Sequence, residues 1–372
     1  MTQTTPSLDN MYQRYAHLLT NYCLEVQRDE KVMIRSTYLA EALLVKFAEE
    51  IAKAGGIPIL QIDIQDFDNA WLAQSDLSQL EWVNPMYKHW NENFKCFMYI
   101  RAPFETKDQI IVPIEKRNIH NQAQAPVRQI YMDRTGTRDM KRGLCQFPTL
   151  GSAEEAGMSL EEYQNFVFNA CNLFDENPMQ TWQNFGKNQQ KVVDFLNDRS
   201  EVRYVGSNCD LKFSTKGRIW INSDGKTNMP SGEVYTAPVD DSMNGWVQFS
   251  LPSLYMGETV ENVSLEIKNG YIESWNATSN KEFLDKIFAI DGTRRFGEAA
   301  VGTNYKIQQS TRNILFDEKI GGTIHLAIGD AYKQCNGINQ STVHWDMITS
   351  MADGEIYADG ELCYKNGKFI VE

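Results

Sequence analysis

The stretch KVMIRSTYLAEALLVKFAEEIAKAGGIPILQIDI, residues 31–64, decides the fold of the first half of the chain. KVMIRS (31–36) is short, apolar and partly β-branched, and reads as a strand. In LAEALLVKFAEEIAKAGG, Leu43, Leu44, Phe47 and Ile51 recur at helical spacing, and Gly55 and Gly56 mark the end of that helix. PILQIDI (58–64) is a second strand. A strand, helix, strand unit implies parallel strands joined by a right-handed crossover. Upstream, a helical stretch from about Asn10 to Leu24 presents Tyr15, Leu18, Leu19 and Tyr22 on one side, and downstream KCFMYIRA (95–102) supplies a further strand. The first half therefore reads as an α/β domain with a parallel sheet. Its turn after the first strand, STYL, lacks the glycines that let a backbone close on a pyrophosphate, so no dinucleotide cofactor is expected there.

From Met158 to about Asn197 the chain is helical again, and Ser159 with Glu162 three residues on reads as a capping box. The texture then changes. From Glu201 onward short alternating runs are separated by turn dipeptides: VSLEI and YIESW flank Asn269-Gly270, and ELCY and KFIV flank Asn366-Gly367. Asn-Gly between alternating runs signals a hairpin, because both turn residues need positive φ. The expected organisation is an N-terminal α/β domain, residues 1–195, and a mainly antiparallel β (α+β) C-terminal domain, residues 196–372.

Hydrophobic residues at 42% and charged residues at 23% are ordinary globular usage, far from the composition of disorder. Lys+Arg 36 against Asp+Glu 49 leaves a formal charge of -13, which repels phosphate backbones and anionic lipid heads. Nucleic acid and membrane are thus not expected as partners. The first residues, MTQTTPSLDN, lack a basic start followed by an apolar core, and no stretch approaches a membrane span, so a cytoplasmic location is expected. Seven scattered cysteines with no C-x-x-C pair agree with free thiols in a reducing compartment.

The histidines point to the chemistry. His17, His89 and His120 lie in the first half without an acid or a second histidine at ligand spacing, and read as ordinary residues. The other two, His325 and His344, sit beside acids in the second half. In DEKIGGTIHLAIGDAY, Glu318 precedes His325 and Tyr332 follows it; in STVHWDM, His344 and Asp346 are two apart, so an extended strand presents both on one face. Glu233 and Glu298 each follow a glycine, in NMPSGEVYTAP and RRFGEAAVGTN, where a tight turn can aim the carboxylate inward. Several carboxylates with two imidazoles suit zinc, cobalt or manganese, and carboxylates bridging two ions suit hydrolysis.

The blocks NMPSGEVYTAP, GEAAVGTN, DEKIGGTIHLAIG and STVHWDM occur in one order along the chain, with IWINSDGK upstream. They closely resemble the successive signatures of the thermophilic metalloprotease family, the group that includes aminopeptidases T and S. The resemblance implies a metallo-aminopeptidase that removes N-terminal amino acids from peptides with free N-termini, using two divalent ions and a water activated by them. It implies Glu233, Glu298, Glu318, His325, His344 and Asp346 as metal ligands, with Glu298 as the bridge. Glu298 or Glu318 then shuttles the proton, and Tyr332, seven residues beyond His325, donates to the oxyanion. A homodimer is also implied. The segment KQCNGINQSTV between Tyr332 and His344 looks shorter than in many relatives, which bears on substrate preference. Two rival readings stand beside this one. Distant relatives of the fold resemble ring-cleaving dioxygenases with a single iron, a site that His325, His344 and Asp346 alone can form; a metal-stabilised peptide-binding protein without turnover is the other.

Overall fold

The computed structural model describes residues 6–105 and 110–371. It divides into two compact units, residues 1–179 with 226–229, and residues 180–225 with 230–372.

The first unit is α/β. Its sheet contains β1 (Lys31–Thr37), β2 (Ile57–Asp63), β3 (Cys96–Arg101) and β4 (Lys141–Gln146), in the order β2-β1-β3-β4, closed by the short strand Asn228–Met229. Every neighbouring pair runs parallel. Helix α1 (Leu8–Leu18) precedes the sheet and α2 (Glu41–Lys53) links β1 to β2, burying Leu43, Leu44, Phe47 and Ile51, the residues whose spacing predicts it. His17 of α1 pairs with the buried Glu50 of α2 at 2.8 Å. No helix among the described residues is long and apolar enough to cross a membrane.

The second unit opens with α3 (Pro178–Asn197), which runs across residue 195 and sends Val192, Val193 and Leu196 into the core of this unit. An eight-stranded sheet follows, antiparallel throughout. Its hairpins at Asn269-Gly270 and Asn366-Gly367 use the positive φ expected of those residues. The second large sheet is built from β5 (Ile221–Ser223), β6 (Glu233–Thr236), β7 (Phe296–Gly302), β8 (Thr323–Gly329) and β9 (His344–Ser350), in the order β9-β8-β7-β6-β5 and again antiparallel.

The pleat divides this second sheet. One face carries Val234, Ala299, Val301, Ile324, Leu326, Ile328, Trp345 and Met347 into the core it shares with the eight-stranded sheet. The alternate residues of the same strands therefore point the other way. They include every ligand the sequence nominates except Glu318.

Candidate metal centre

Register places the candidate ligands in rows across one sheet face. Glu298 on β7 stands opposite Ala327 on β8, and Ala327 opposite Asp346 on β9. The next row holds Tyr235, Ala300, His325 and Ile348; Glu233 pairs with Gly302, and His344 with Gly329. The residues between the polar ones are thus Ala300, Gly302, Ala327 and Gly329, small enough to leave room above the sheet for carboxylates and imidazoles to converge. A register shift in β7 between Phe296 and Glu298 re-aims the strand at the bridge candidate itself.

Local devices fix each side chain. Gly232 has φ +119 and would bring a Cβ to 2.7 Å from Asn304 Cβ, so the turn before Glu233 requires glycine. Gln189 of α3, itself buried, donates to the carbonyl of Glu233 at 2.9 Å and to those of its neighbours, Asn222 Oδ1 at 2.6 Å and Ser223 O at 3.0 Å. A Cβ on Gly297 would meet the Asp330 carbonyl at 2.1 Å. That carbonyl accepts from His344 Nδ1 at 2.8 Å, which leaves Nε2 as the coordinating nitrogen.

Glu298 lies between the two imidazoles, Oε2 at 3.1 Å from His344 Nε2 and Oε1 at 3.5 Å from His325 Nε2. His325 Nε2 also faces Glu233 Oε2 at 3.4 Å, and His344 Nε2 faces Asp346 Oδ1 at 3.7 Å. Two ligand groups result, Glu233 with Glu318 and His325, and Glu298 with His325 and Asp346, the atoms of each lying within 4.8 Å of one another. All six nominated ligands are therefore brought together. Tyr332 stands at the rim, its ring 4.8 Å from that of His344 and 5.6 Å from that of Tyr235, whose hydroxyl accepts from Gln334 at 2.6 Å.

The site fits a cation on its own chemistry. His325 is fully buried, yet neither ring nitrogen is hydrogen-bonded among the described residues, and Asp346 Oδ1 is likewise buried without a hydrogen bond. Leaving such atoms unpaired costs about 1–3 kcal/mol each, a penalty that coordination by an ion removes at Nε2 and Oδ1. Charge points the same way. Without an ion the imidazoles act as the counter-cations: burial disfavours their charge, but attraction by Glu298 and Glu233, 3.5 and 3.4 Å from Nε2, raises His325 to about 9. For His344, burial is outweighed by attraction to Asp346 and Glu298, which raises it to about 10. Burial pushes Glu298 up, yet the two imidazoles win and hold it at about 2. Burial raises Asp346 to about 6 and also raises Glu318.

One residue escaped the sequence reading. Lys319 is fully buried, touches Glu318, and places Nζ 3.5 Å from Glu233 Oε1. Lysine is among the residues least often buried, so nothing in DEKIGG marked it as interior. Cys335, nine residues before His344, is buried, and burial pushes its thiol far up, which disfavours the thiolate.

The family model described as thermophilic metalloprotease (M29) matches residues 8–369. The chain is 32% identical over 256 residues to aminopeptidase AmpS of Bacillus subtilis (strain 168), covering 59% of this chain and 61% of the relative. It is 29% identical over 260 residues to aminopeptidase PepS of Streptococcus thermophilus, covering 60% and 62%. The matched stretch thus spans about three fifths of the length of these curated relatives. Among solved structures, wild-type AmpT from Thermus thermophilus superposes with a TM-score of 0.83 at 21% identity, over 98% of this chain and 100% of that one. The 2,5-dihydroxypyridine dioxygenase of Pseudomonas putida KT2440 superposes with a TM-score of 0.58 at 11% identity, over 99% of each chain, a likeness of fold alone. With its family model matched from residue 8 to 369, the chain belongs to the thermophilic metalloprotease (M29) family.

Proposed function

We propose that the chain is a metal-dependent aminopeptidase acting on peptides with free N-termini, and that residues 196–372 are its catalytic domain. The observation that carries this reading is the placement of Glu298 between two imidazoles, with further carboxylates on either side. Glu298 would bridge the ions, Glu233, Glu318 and His325 would complete one position, and His344 and Asp346 would complete the other. Two zinc, cobalt or manganese ions held there supply Lewis-acid polarisation and an activated water.

The chain's own residues do the rest. Carboxylates would hold the ions and orient the imidazoles, and Glu298 or Glu318 would move the proton toward the leaving amine. Tyr332 donates to the developing oxyanion. Burial, and then the Glu298 and Asp346 charges, push its phenol well above the ordinary tyrosine value, so it keeps its proton through the neutral range. Tyr332→Phe is expected to lower kcat by about 10²-fold with metal content unchanged. An unaltered kcat removes Tyr332 from the reaction.

The test of the reading as a whole is metal content per chain together with turnover of a panel of aminoacyl chromogenic substrates. Two ions per chain and release of the chromogen are expected. A single iron per chain with oxygen uptake on a dihydroxypyridine supports the dioxygenase reading instead, and two ions without turnover support the peptide-binding reading.

A further inference from the structure

Lys319 has no part in holding an ion, yet it is built into the centre. Its side chain is fully buried, and its backbone is pinned on both sides: the N–H donates to Phe316 O at 3.0 Å, and the carbonyl accepts from Asn304 N–H at 3.0 Å. The ammonium is therefore enclosed by protein. Both carboxylates it pairs with, Glu233 and Glu318, belong to the same ligand group. The other group, Glu298 with His325 and Asp346, has no lysine or arginine ion pair among the described residues.

This asymmetry has a consequence for charge. An ion at the first position meets Glu233 and Glu318, both already shared with an ammonium; at the second, Asp346 and the Glu298 common to both positions have no lysine or arginine ion pair among the described residues. A divalent ion at the first position is also repelled directly by Nζ, at a depth where screening is weak.

We propose that Lys319 is a positioning residue that makes the two cation positions unequal, so that the position formed by Glu233, Glu318 and His325 binds its ion more weakly and releases it first. The inference rests on the two-ion reading given above. Lys319 keeps Glu233 and Glu318 paired and in place when that ion is absent, so the weaker position empties without leaving buried carboxylates unpartnered.

The experiment is calorimetric titration of the demetallated full chain with Mn²⁺, repeated with Co²⁺ while following its visible spectrum. Two binding steps whose Kd values differ by tenfold or more are expected of the unaltered chain. Glu318→Gln removes the weaker step and leaves the tighter one. Lys319→Met, which keeps length and loses charge, tightens the weaker step by about tenfold or more and moves the tighter step by less than about threefold. A lysine that served packing alone would move neither step selectively. Two steps of equal affinity overturn the inference while leaving the two-ion reading standing; fewer than two ions overturn both. If Glu318→Gln removes the tighter step, or Lys319→Met loosens the weaker one, the assignment of Lys319 is wrong. The Glu318→Gln result decides the matter if Lys319→Met does not fold.

Discussion

Glu298→Gln is expected to leave the chain folded, to strip at least one ion from the centre and to lower peptide hydrolysis by orders of magnitude. Glu298 turns one oxygen toward each imidazole, Oε1 at 3.5 Å from His325 Nε2 and Oε2 at 3.1 Å from His344 Nε2. That is the geometry of a bridge. Glutamine preserves the shape but replaces one oxygen by an amide NH2, a donor, and removes the charge that offsets the mutual repulsion of two cations. The backbone has no reason to move, because β7 is held on both edges by β6 and β8. Metal analysis, steady-state kinetics and circular dichroism on the same preparation check the expectation. A variant that keeps both its ions and its rate excludes Glu298 as the bridge. Under the single-iron reading Glu298 is a bystander: one ion per chain remains, and oxygen uptake survives the change.

The division between what the sequence announced and what it concealed follows the range of the interactions. Apolar spacing at Leu43, Leu44, Phe47 and Ile51 and the Asn-Gly turns are local, and they predicted the parallel sheet and the hairpins. The H-x-D spacing of His344 and Asp346 placed both on one strand face for the same reason. The glycine before Glu233 proved necessary at positive φ. Glycine before Glu298 has a different cause, the close approach of the Asp330 carbonyl, which no local pattern encodes. The meeting of Glu298 with His344, 46 residues away, depends on strand order and register. It was the family resemblance, not spacing, that named both for one centre. Lys319 lay hidden for a further reason. Its burial is tolerable because Glu233, 86 residues earlier in the chain, joins Glu318 beside its ammonium.

Chelation of the ions is expected to abolish hydrolysis, to lower the thermal transition of the second unit, and to do both reversibly, with cobalt, zinc or manganese each restoring activity. The ligand set is all oxygen and imidazole, with no thiolate to trap a soft ion, so exchange among these metals is open. Stability follows by linkage. An ion that binds only the folded site stabilises it by about 4 kcal/mol when present at a thousand times its Kd, so removal should cost several degrees. The sign of the pH dependence separates the two forms. Without ions, His325 and His344 are raised to about 9 and about 10 in the folded state. Their contribution to stability is fully present below the unfolded value of about 6.5 and is lost as pH rises through 9 to 10. With ions bound, coordination displaces those protons, so raising the pH favours the loaded form. The gap in Tm between loaded and demetallated protein should therefore widen steadily from about pH 6.5 to pH 10. Differential scanning calorimetry of both forms across that range measures it. A gap that is constant or narrows, or full hydrolysis in exhaustively demetallated protein, means that the ions are not held by these two histidines.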